Sequence, residues 1–365
     1  MFENRKEEGM FRRNRIALLE AFDENIIDDE EFMLLYDLNR SNTLNFPYWE
    51  YEHFDLDKLS DDVCRAELRF LKNGIYTLFN ALTIPNELRC YNGFKIDGLT
   101  ALCILLKRFA YPCRYLDMIP RFGLAVPQLS MITNMVMNFI YNTWGHLLRT
   151  FNQQWLSPRH LEEFCQAIHR KGAPLQNCFG FVDGTVRRLC RPGRNQRVLY
   201  NGHKKVHAIK FQSVATPNGM VANLFGPVEG RRHDSTMLAR SGLLPTLVQN
   251  AVDRNGAPLC IYGDPAYPLR PQLITGFRGN NVTPLQRNWN KAMNESRTSV
   301  EWVFGDILNY YKFLDFHKNL KIQLSAVRKM YIVCVILQNA RSCFYGSMTS
   351  SYFDCDPPTI LEYFQ

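Results

Sequence analysis

The sequence has no hydrophobic run long enough to cross a membrane, and its cysteines do not show the spacing of a metal or redox site. The longest apolar run, Met330 to Leu337, is far shorter than the ~20 residues that a membrane span requires. The amino-terminal residues are polar and charged, so we expect no secretory signal there. The eleven cysteines are odd in number and form no C-x-x-C pair, which disfavours a disulfide framework, a zinc ribbon and a redox motif. These absences favour a protein outside membranes, with reduced thiols, in the cytosol or nucleus.

Charge is unevenly distributed along the 365 residues, whose net charge is +8. Residues 1–70 contain 9 Lys and Arg against 18 Asp and Glu, a net of −9, whereas the remainder contains 34 against 17, a net of +17. Acidic residues are scarce between Asp183 and Arg240, with 3 of them against 11 basic residues. A basic body of this kind indicates a polyanionic partner, most often nucleic acid. A basic surface that serves only solubility stays open as the alternative.

The order of patterns predicts an α/β protein with four regions. Residues 1–60 are expected to form an acidic, partly ordered arm, and residues 61–173 an all-helical region. The helices there follow the order helix, short helix, turn, helix, which resembles a helix-turn-helix, although the last helix is apolar nearly all round and favours burial over base reading. Residues 174–345 show strands followed by helices, typical of a mixed α/β catalytic domain, and residues 346–365 are predicted as a tail.

Pro217-Asn218-Gly219 is a strong turn signal between two strand-like segments. Val206–Val214 alternates as a strand does, and Gly219–Phe225 is a second β-like run. We therefore expect these two segments to form a hairpin.

Three acidic residues stand out by their positions. Asp183 follows the apolar run Cys178–Val182, and Asp264 comes shortly after the run Leu259–Tyr262. Glu301 lies at the edge of the apolar stripe of a predicted helix. Carboxylates at strand ends point into the crevice where open α/β sheets bind ligands. Three carboxylates that converge there would repel one another unless cations neutralise their charge. Oxygen-only ligands suit Mg²⁺ or Mn²⁺, and two such ions can activate an attacking water or hydroxyl on a phosphodiester. Taken singly, each acid is more often a cap, turn or solvated residue.

Five segments resemble, in family order, the motifs of PIF/Harbinger-type DDE transposases and the nucleases derived from them: Val182–Thr185, Tyr200–Lys205, Arg232–Ser235, Tyr262–Pro268 and Arg297–Gly305. The resemblance runs from Phe179 to about Asn339. Thirty-six residues separate Asp264 from Glu301, similar to the family's spacing, and Arg297 lies one turn earlier, where the family also has Arg. Trp302 departs from the family, which usually has Arg at that position.

The resemblance implies an RNase H-like mixed-sheet domain, preceded by a helical, helix-turn-helix-like region, with Asp183, Asp264 and Glu301 as the catalytic triad. These three carboxylates would bind divalent cations, Mg²⁺ or Mn²⁺. Asp234 belongs to the family's His-Asp-Ser/Thr motif and has two open interpretations. It either contacts a metal ion from the edge of the site or caps the helix Ser235–Arg240.

The stretch after Asp183 is rich in basic residues that, in this setting, are predicted to follow a DNA backbone: Arg187, Arg188, Arg191, Arg194, Arg197, Lys204 and Lys205. A solvated basic loop is the alternative. His203 precedes the strand-like pattern that starts at Val206, and His207 lies within it. The two histidines are therefore not expected to share one face of a helix as metal ligands. Catalytic thiols are disfavoured because Cys178, Cys190 and Cys260 have no triad partner.

The sequence therefore predicts a metal-dependent DNA endonuclease, transposase-like in type, that cleaves phosphodiester bonds. Two alternatives stay open: a DNA-binding or scaffolding protein that retains the fold without cleaving, and an RNase H-like enzyme that acts on RNA. The resemblance also implies a separate Myb-like DNA-binding partner protein. We expect a nuclear location, alone or together with a cytoplasmic one.

Overall fold

The computed structural model describes residues 17–24, 26–38, 47–322 and 324–365. The chain divides into two compact units, residues 1–51 and residues 52–365. The first unit contains the helices α1 (residues 17–23) and α2 (Asp29–Leu38) and a 3₁₀ turn at Tyr48–Glu50. Residues 1–16, 25 and 39–46 of the predicted acidic arm lie outside the described residues.

The second unit begins with a mainly helical part and continues with a sheet and further helices. The helices before the sheet are α3 (Asp61–Leu68), α4 (Lys72–Ala81), α5 (Gly98–Ala110), α6 (Ile119–Phe122), α7 (Val126–Trp144) and α8 (Pro158–Arg170). The later helices are α9 (Gln196–Leu199), α10 (Asp234–Ser241), α11 (Leu243–Asn250), α12 (Pro284–Tyr310), α13 (Val327–Tyr345), α14 (Met348–Phe353) and α15 (Ile360–Tyr363). Short 3₁₀ turns occupy Leu116–Met118, Gly145–Leu148, Gln154–Leu156, Lys312–Asp315 and His317–Asn319.

Helix α7 is a core helix, as its apolar surface predicts. It packs against α5 and α13, and Ile132, Val136 and Ile140 on it are fully buried. It contains no Lys or Arg, which a helix that reads DNA would need for phosphate contacts. The predicted order of helix, short helix, turn and helix is present in α5 to α7, but its last helix serves packing.

The region 61–173 is not all-helical, contrary to the prediction. Strands β1 (Glu87–Arg89) and β2 (Lys95–Asp97) form an antiparallel hairpin between α4 and α5. Asn92-Gly93 makes its turn, with Gly93 at a φ of +87° that favours glycine. Asn-Gly is a hairpin signal, but the strands are only three residues long, so the helical periodicity on both sides dominates the sequence pattern.

One mixed sheet forms the second half of the unit. Its strands are β3 (Cys178–Arg188), β4 (Tyr200–Asn201), β5 (Val206–Ala215), β6 (Val221–Glu229), β7 (Cys260–Gly263) and β8 (Leu273–Thr275). The order is β6–β5–β3–β7–β8, with β4 paired to the first two residues of β5. Strand β5 pairs antiparallel with both β3 and β6, whereas β7 runs parallel to β3 and β8 runs parallel to β7. The predicted α/β class, with helices before an RNase H-like mixed sheet, is confirmed.

The predicted hairpin joins β5 and β6. The Gly219 N–H donates to Thr216 O, and the Thr216 N–H donates to Met220 O, both at 3.0 Å. Gly219 has a φ of +76°, as a turn at this position requires.

Strand β3 is longer than the apolar run Cys178–Val182 predicts. It continues to Arg188 because β5 pairs antiparallel with residues 181–188 and satisfies their backbone groups. Asp183 therefore lies inside the strand, opposite Ser213 of β5. On the other side of β3, the pairing with β7 ends at Val182 and Gly263. Because β8 also ends at this level, at Thr275, the sheet lacks both β7 and β8 just beyond Val182.

Helices cover the sheet and connect it to the first half of the unit. Helix α12 packs against β3 and β7, α8 packs against β3, and α13 packs against both β6 and α7. Residues 346–365 are also folded: Phe353 and Tyr363 are buried.

Residues 52–365 form one compact unit. The predicted boundaries at residues 60, 173 and 345 therefore do not appear as separate units, and they stay predictions. Among the described helices, none combines the length and the hydropathy needed to cross a membrane.

Candidate active site

The parallel pairing of β3 and β7 places two aspartates side by side. Val182 and Gly263 are register partners, and Asp183 and Asp264 are the next residues of the two strands. The Asp264 Oδ1 accepts a hydrogen bond of 2.7 Å from the Ala266 N–H, which fixes the turn that follows β7. Two carboxylates therefore leave neighbouring strands at the same level.

A cavity of about 920 Å³ opens at this edge of the sheet. All five sequence segments that resemble the family contribute to its wall, through Asp183 and Gly184, Asn201 to Lys204, Arg232 to Ser235, Asp264 and Ala266, and Arg297. The Asn201 Nδ2 donates to Gly230 O at 2.8 Å and holds the segment Tyr200–Lys205 against the residues just before Arg232. Segments that are far apart in sequence thus meet around three aspartates.

Asp183 is a largely buried carboxylate, and one hydrogen bond and one nearby arginine are the contacts that favour its negative charge. Its side chain is 20% exposed, and its Oδ1 accepts a hydrogen bond of 2.8 Å from the Gly184 N–H. Burial raises the pKa of Asp183 to about 6. The Arg297 guanidinium, 3.5 Å from Oδ2, acts in the opposite direction, while Asp264 and Asp234 raise the pKa further. A cation bound here would favour the ionised form.

Asp234 is the third aspartate of the cavity and is held by a buried lysine. The Lys210 Nζ lies 2.5 Å from the Asp234 Oδ1 and donates a second hydrogen bond to Arg232 O at 3.0 Å. The capping interpretation of Asp234 is wrong, because His233 takes the N-cap position and Asp234 is the first residue of α10. Gly184 leaves the room for this carboxylate, since a Cβ on Gly184 would lie 2.8 Å from the Asp234 Oδ1.

Glu301 is not among the residues that line the cavity. It is exposed on α12, one turn beyond Arg297, and Arg297 is the residue of that helix that faces Asp183. The structure therefore brings Asp183, Asp234 and Asp264 together and leaves Glu301 outside. The role of Glu301 in the triad stays a prediction.

Part of the chain is similar to known proteins. Residues 182–339 match the family described as DDE superfamily endonuclease. This segment is a DDE superfamily endonuclease domain. The chain is also 24% identical, over 170 residues, to the protein named Protein ALP1-like of Arabidopsis thaliana. That match covers 43% of this chain and 41% of the relative, so the chain spans only about two fifths of that protein's length. No solved structure matches the chain.

The domain match confirms the resemblance that the five segments carry and is consistent with a Harbinger-type DDE nuclease. It also supports a nuclease-type enzyme at a general level. Members of this superfamily typically use divalent metal ions and act on DNA.

The donor atoms of the DDE domain fit such ions by their chemistry. Asp183, Asp234 and Asp264 offer only carboxylate oxygens, the ligands that Mg²⁺ and Mn²⁺ prefer. Within the residues that the structure describes, however, no three His, Cys, Asp or Glu side chains are already arranged around a common metal position. Arg297 and Lys210 supply the positive charge beside these aspartates instead.

The predicted DNA-backbone residues divide into one buried and six exposed side chains. Arg187 is buried: its guanidinium lies 4.8 Å from the Tyr331 ring centre, and its Nη2 donates to the Tyr331 hydroxyl at 3.1 Å. Arg187 therefore cannot follow a phosphate backbone, and that prediction is wrong. The others are exposed, and their role stays a prediction: Arg188, Arg191, Arg194, Arg197, Lys204 and Lys205.

Sequence reasoning missed Lys210, which lines the cavity, and Tyr267, which follows the cavity residue Ala266 in the chain. Lys210 is a lone charged residue between the apolar Ile209 and Phe211 of β5. A charge inside an apolar strand indicates a buried partner, and this was the signal in the sequence. Tyr267 is fully buried, and its hydroxyl has no hydrogen-bond partner among the described residues. Burial raises the pKa of Tyr267 well above its usual value, and Asp234, Asp183 and Asp264 add to that effect. Its position three residues after Asp264 was the only hint.

The thiols and the two histidines considered above differ in their surroundings. All eleven cysteines are free, and burial raises the pKa of Cys178 well above its usual value, which keeps the thiol protonated. Cys260 is also buried. His203 lines the cavity, while the His207 ring packs edge-on against Tyr200, with 5.5 Å between the ring centres.

Proposed function

We propose that the DDE domain is a metal-dependent DNA endonuclease of the transposase-like type. The observation that carries the proposal is the convergence of all five family-like segments on one cavity that contains Asp183, Asp234 and Asp264. Charge supports the choice of substrate, because the cavity wall also carries Lys204, Arg231 and Arg232, which suit a polyanion.

In the proposed mechanism, Asp183 and Asp264 would hold Mg²⁺ or Mn²⁺, with Glu301 as the predicted third ligand and Asp234 at the edge. A bound divalent ion supplies Lewis-acid activation of a water or DNA hydroxyl and stabilises the leaving oxygen of the phosphodiester. Lys210 holds the Asp234 carboxylate in place, and Arg297 balances the charge of Asp183. The exposed basic residues bind the phosphate backbone.

The test is a cleavage assay on plasmid DNA and short duplexes with Mg²⁺, Mn²⁺ or EDTA. Asp183→Asn and Asp264→Asn keep the side-chain shape and remove a charge, so each should lower metal-dependent cleavage at least about 100-fold while DNA binding persists. Glu163→Gln is the control, because Glu163 lies on α8 and pairs with Arg159. Cleavage that survives in both aspartate variants would show that the activity lies elsewhere.

A second candidate is a DNA-binding or scaffolding protein that does not cleave. Its support is the exposed position of Glu301 and the pairing of Asp183 with Arg297. This candidate predicts that wild-type protein binds DNA but cuts no duplex in Mg²⁺ or Mn²⁺, alone or with a DNA-binding partner. An RNA duplex and an RNA–DNA hybrid in the same assay separate an RNA-acting enzyme from both.

We also propose that the protein acts in the nucleus with a Myb-like DNA-binding partner. Both proposals rest on the resemblance to Harbinger-type transposases. Imaging of a tagged chain, with and without co-expressed candidate partners, tests them.

A further inference from the structure

An apolar hollow lies next to the acidic cavity, and nothing in the proposed cleavage reaction uses it. It has a volume of about 520 Å³, within the range of small-ligand pockets. Its lining includes Tyr267, Leu269, Phe277 and Trp289, and Arg278 also lies at its wall. We propose that this hollow holds an unpaired nucleobase of the DNA strand beside the cleavage site. The inference rests on the proposed function.

The Phe277 and Trp289 rings of the hollow are nearly perpendicular to each other. The centres of the Phe277 and Trp289 rings lie 5.2 Å apart at an interplanar angle of 74°. Phe277 is 47% exposed, so one of its surfaces is available to a ligand. A flat, aromatic base fits such a corner because it can stack on one ring and meet the other with its edge.

Hydrogen bonds hold the hollow in shape before any ligand binds. The Phe277 N–H donates to the Asn290 Oδ1 at 2.9 Å, and the Asn290 Nδ2 donates to Phe277 O at 3.0 Å. The Arg278 Nη2 donates to Tyr267 O at 2.6 Å and ties the two sides together. A preformed pocket binds a base with little loss of its own conformational entropy.

Tyr267 links the hollow to the acidic cavity. Ala266 lines the cavity and Tyr267 the hollow, so consecutive residues belong to the two sites. The Tyr267 ring packs over the end of β7, because a Cβ on Gly263 would lie 3.1 Å from Tyr267 Cδ2. Gly263 immediately precedes Asp264. A nucleotide whose base occupies the hollow therefore has its backbone close to the aspartates.

Charge around the hollow indicates a nucleic acid as the occupant. Residues 265–294 contain four basic residues, Arg270, Arg278, Arg287 and Lys291, between Asp264 and Glu295. Of these four, Arg278 lines the hollow. An apolar, aromatic recess with an arginine at its wall matches a base and its phosphate. A paired base cannot reach such a recess without leaving the stack, so the ligand is a base that is unpaired or easily unpaired.

The test measures binding in EDTA, where no cleavage occurs. The probes are a blunt duplex and the same duplex with a short single-stranded tail, followed by fluorescence anisotropy and by the tryptophan emission of the protein. Wild type should prefer the tailed duplex. Phe277→Ala should lower its affinity for the tailed duplex about 10-fold and leave the blunt duplex unchanged, while Phe277→Tyr keeps the preference. Phe316→Ala is the matched control, because Phe316 is a similarly exposed phenylalanine, at 41%.

Three outcomes would overturn the inference. Wild type could bind both duplexes equally, or Phe277→Ala could weaken both equally. Sedimentation could also show that wild type self-associates and Phe277→Ala does not, in which case a second copy fills the hollow. Failure of the cleavage assay with an intact tail preference would instead contradict the endonuclease proposal alone, and cleavage without a tail preference would contradict only the base site.

Discussion

Arg187 and Arg188 are neighbours on β3 and point to opposite faces of the sheet. Arg187 packs on the Tyr331 ring and donates to its hydroxyl, whereas Arg188 is exposed. The same residue type thus contributes to the core in one case and to the surface charge in the other. Alternation along the strand is the cause.

Arg187→Ala should lower the free energy of unfolding by about 2–4 kcal/mol, because a buried cation–π contact and a hydrogen bond are both lost. Arg188→Ala should change it by less than about 0.5 kcal/mol and instead weaken DNA binding. Urea denaturation and a binding titration check the pair. Equal stability of the two variants would contradict this assignment.

The Asp183 carboxyl makes stability depend on pH. Because burial raises its pKa from 3.8 to about 6, the folded protein retains a proton that the unfolded chain releases between about pH 4 and pH 6. The contribution of Asp183 to stability is therefore greatest below pH 4 and decreases as the pH rises through 6.

In EDTA, Asp183→Asn should match wild type near pH 4 and exceed its free energy of unfolding by about 1–3 kcal/mol at pH 7.5, since the amide stays neutral. Addition of Mg²⁺ at pH 7.5 should stabilise wild type but not the variant. Denaturation curves at the two pH values, with and without Mg²⁺, measure both effects. A difference that stays constant with pH would contradict the burial argument.

At the scale of elements, the turn between β5 and β6 is also a contact with the carboxyl-terminal helices. A Cβ on Gly219 would collide with the Ser347 Oγ. That hydroxyl accepts a hydrogen bond of 3.0 Å from the Ser350 N–H and caps α14. The turn and the helix cap therefore depend on the absence of a side chain at residue 219.

Gly219→Ala should destabilise the protein by about 2–3 kcal/mol, through its positive φ and through displacement of the Ser347 cap. Gly256→Ala is the control: Gly256 also has a positive φ, of +81°, but a Cβ there would meet no atom within 4 Å. It should cost only about 1 kcal/mol. Thermal denaturation compares the two, and an equal loss would mean that backbone strain alone matters.

At the scale of the whole molecule, Asn339 joins three parts of the chain. Its Oδ1 accepts from the Val221 N–H at 2.9 Å, and its Nδ2 donates to Val221 O at 2.9 Å and to the Tyr363 hydroxyl at 3.1 Å. One buried amide thus connects the start of β6, helix α13 and helix α15. The neighbouring Gln338 is equally buried, yet its Oε1 has no partner among the described residues.

Asn339→Leu should lower the free energy of unfolding by about 3 kcal/mol or more, because it leaves two buried backbone groups of Val221 unpaired. Gln338→Leu should be neutral or stabilising, since it removes a polar atom that already lacks a partner. Denaturant unfolding of the two variants tests the contrast. Similar losses in both would show that shape, and not hydrogen bonding, determines stability at this position.

Local patterns were sufficient for part of the fold and of the site. The apolar runs that begin β3 and β7, the aspartates beyond them and the turn at Gly219 all depend on neighbouring residues, so their sequence signals are direct. The order of the five motif segments predicted the DDE domain for the same reason. The hairpin β1–β2 and the three-residue strand β8 are too short to outweigh the patterns around them.

The remaining features arise from contacts between residues that are distant in the chain. The register between β3 and β7 places Asp183 beside Asp264, and the approach of β5 to α10 pairs Lys210 with Asp234. The same kind of contact buries Arg187. Because strand pairing and helix packing choose partners that are 24 residues apart for Lys210 and Asp234 and 144 apart for Arg187 and Tyr331, no local periodicity contains them. The sequence by itself therefore determined which carboxylates follow the apolar runs that begin β3 and β7, and only packing determined which charges meet them.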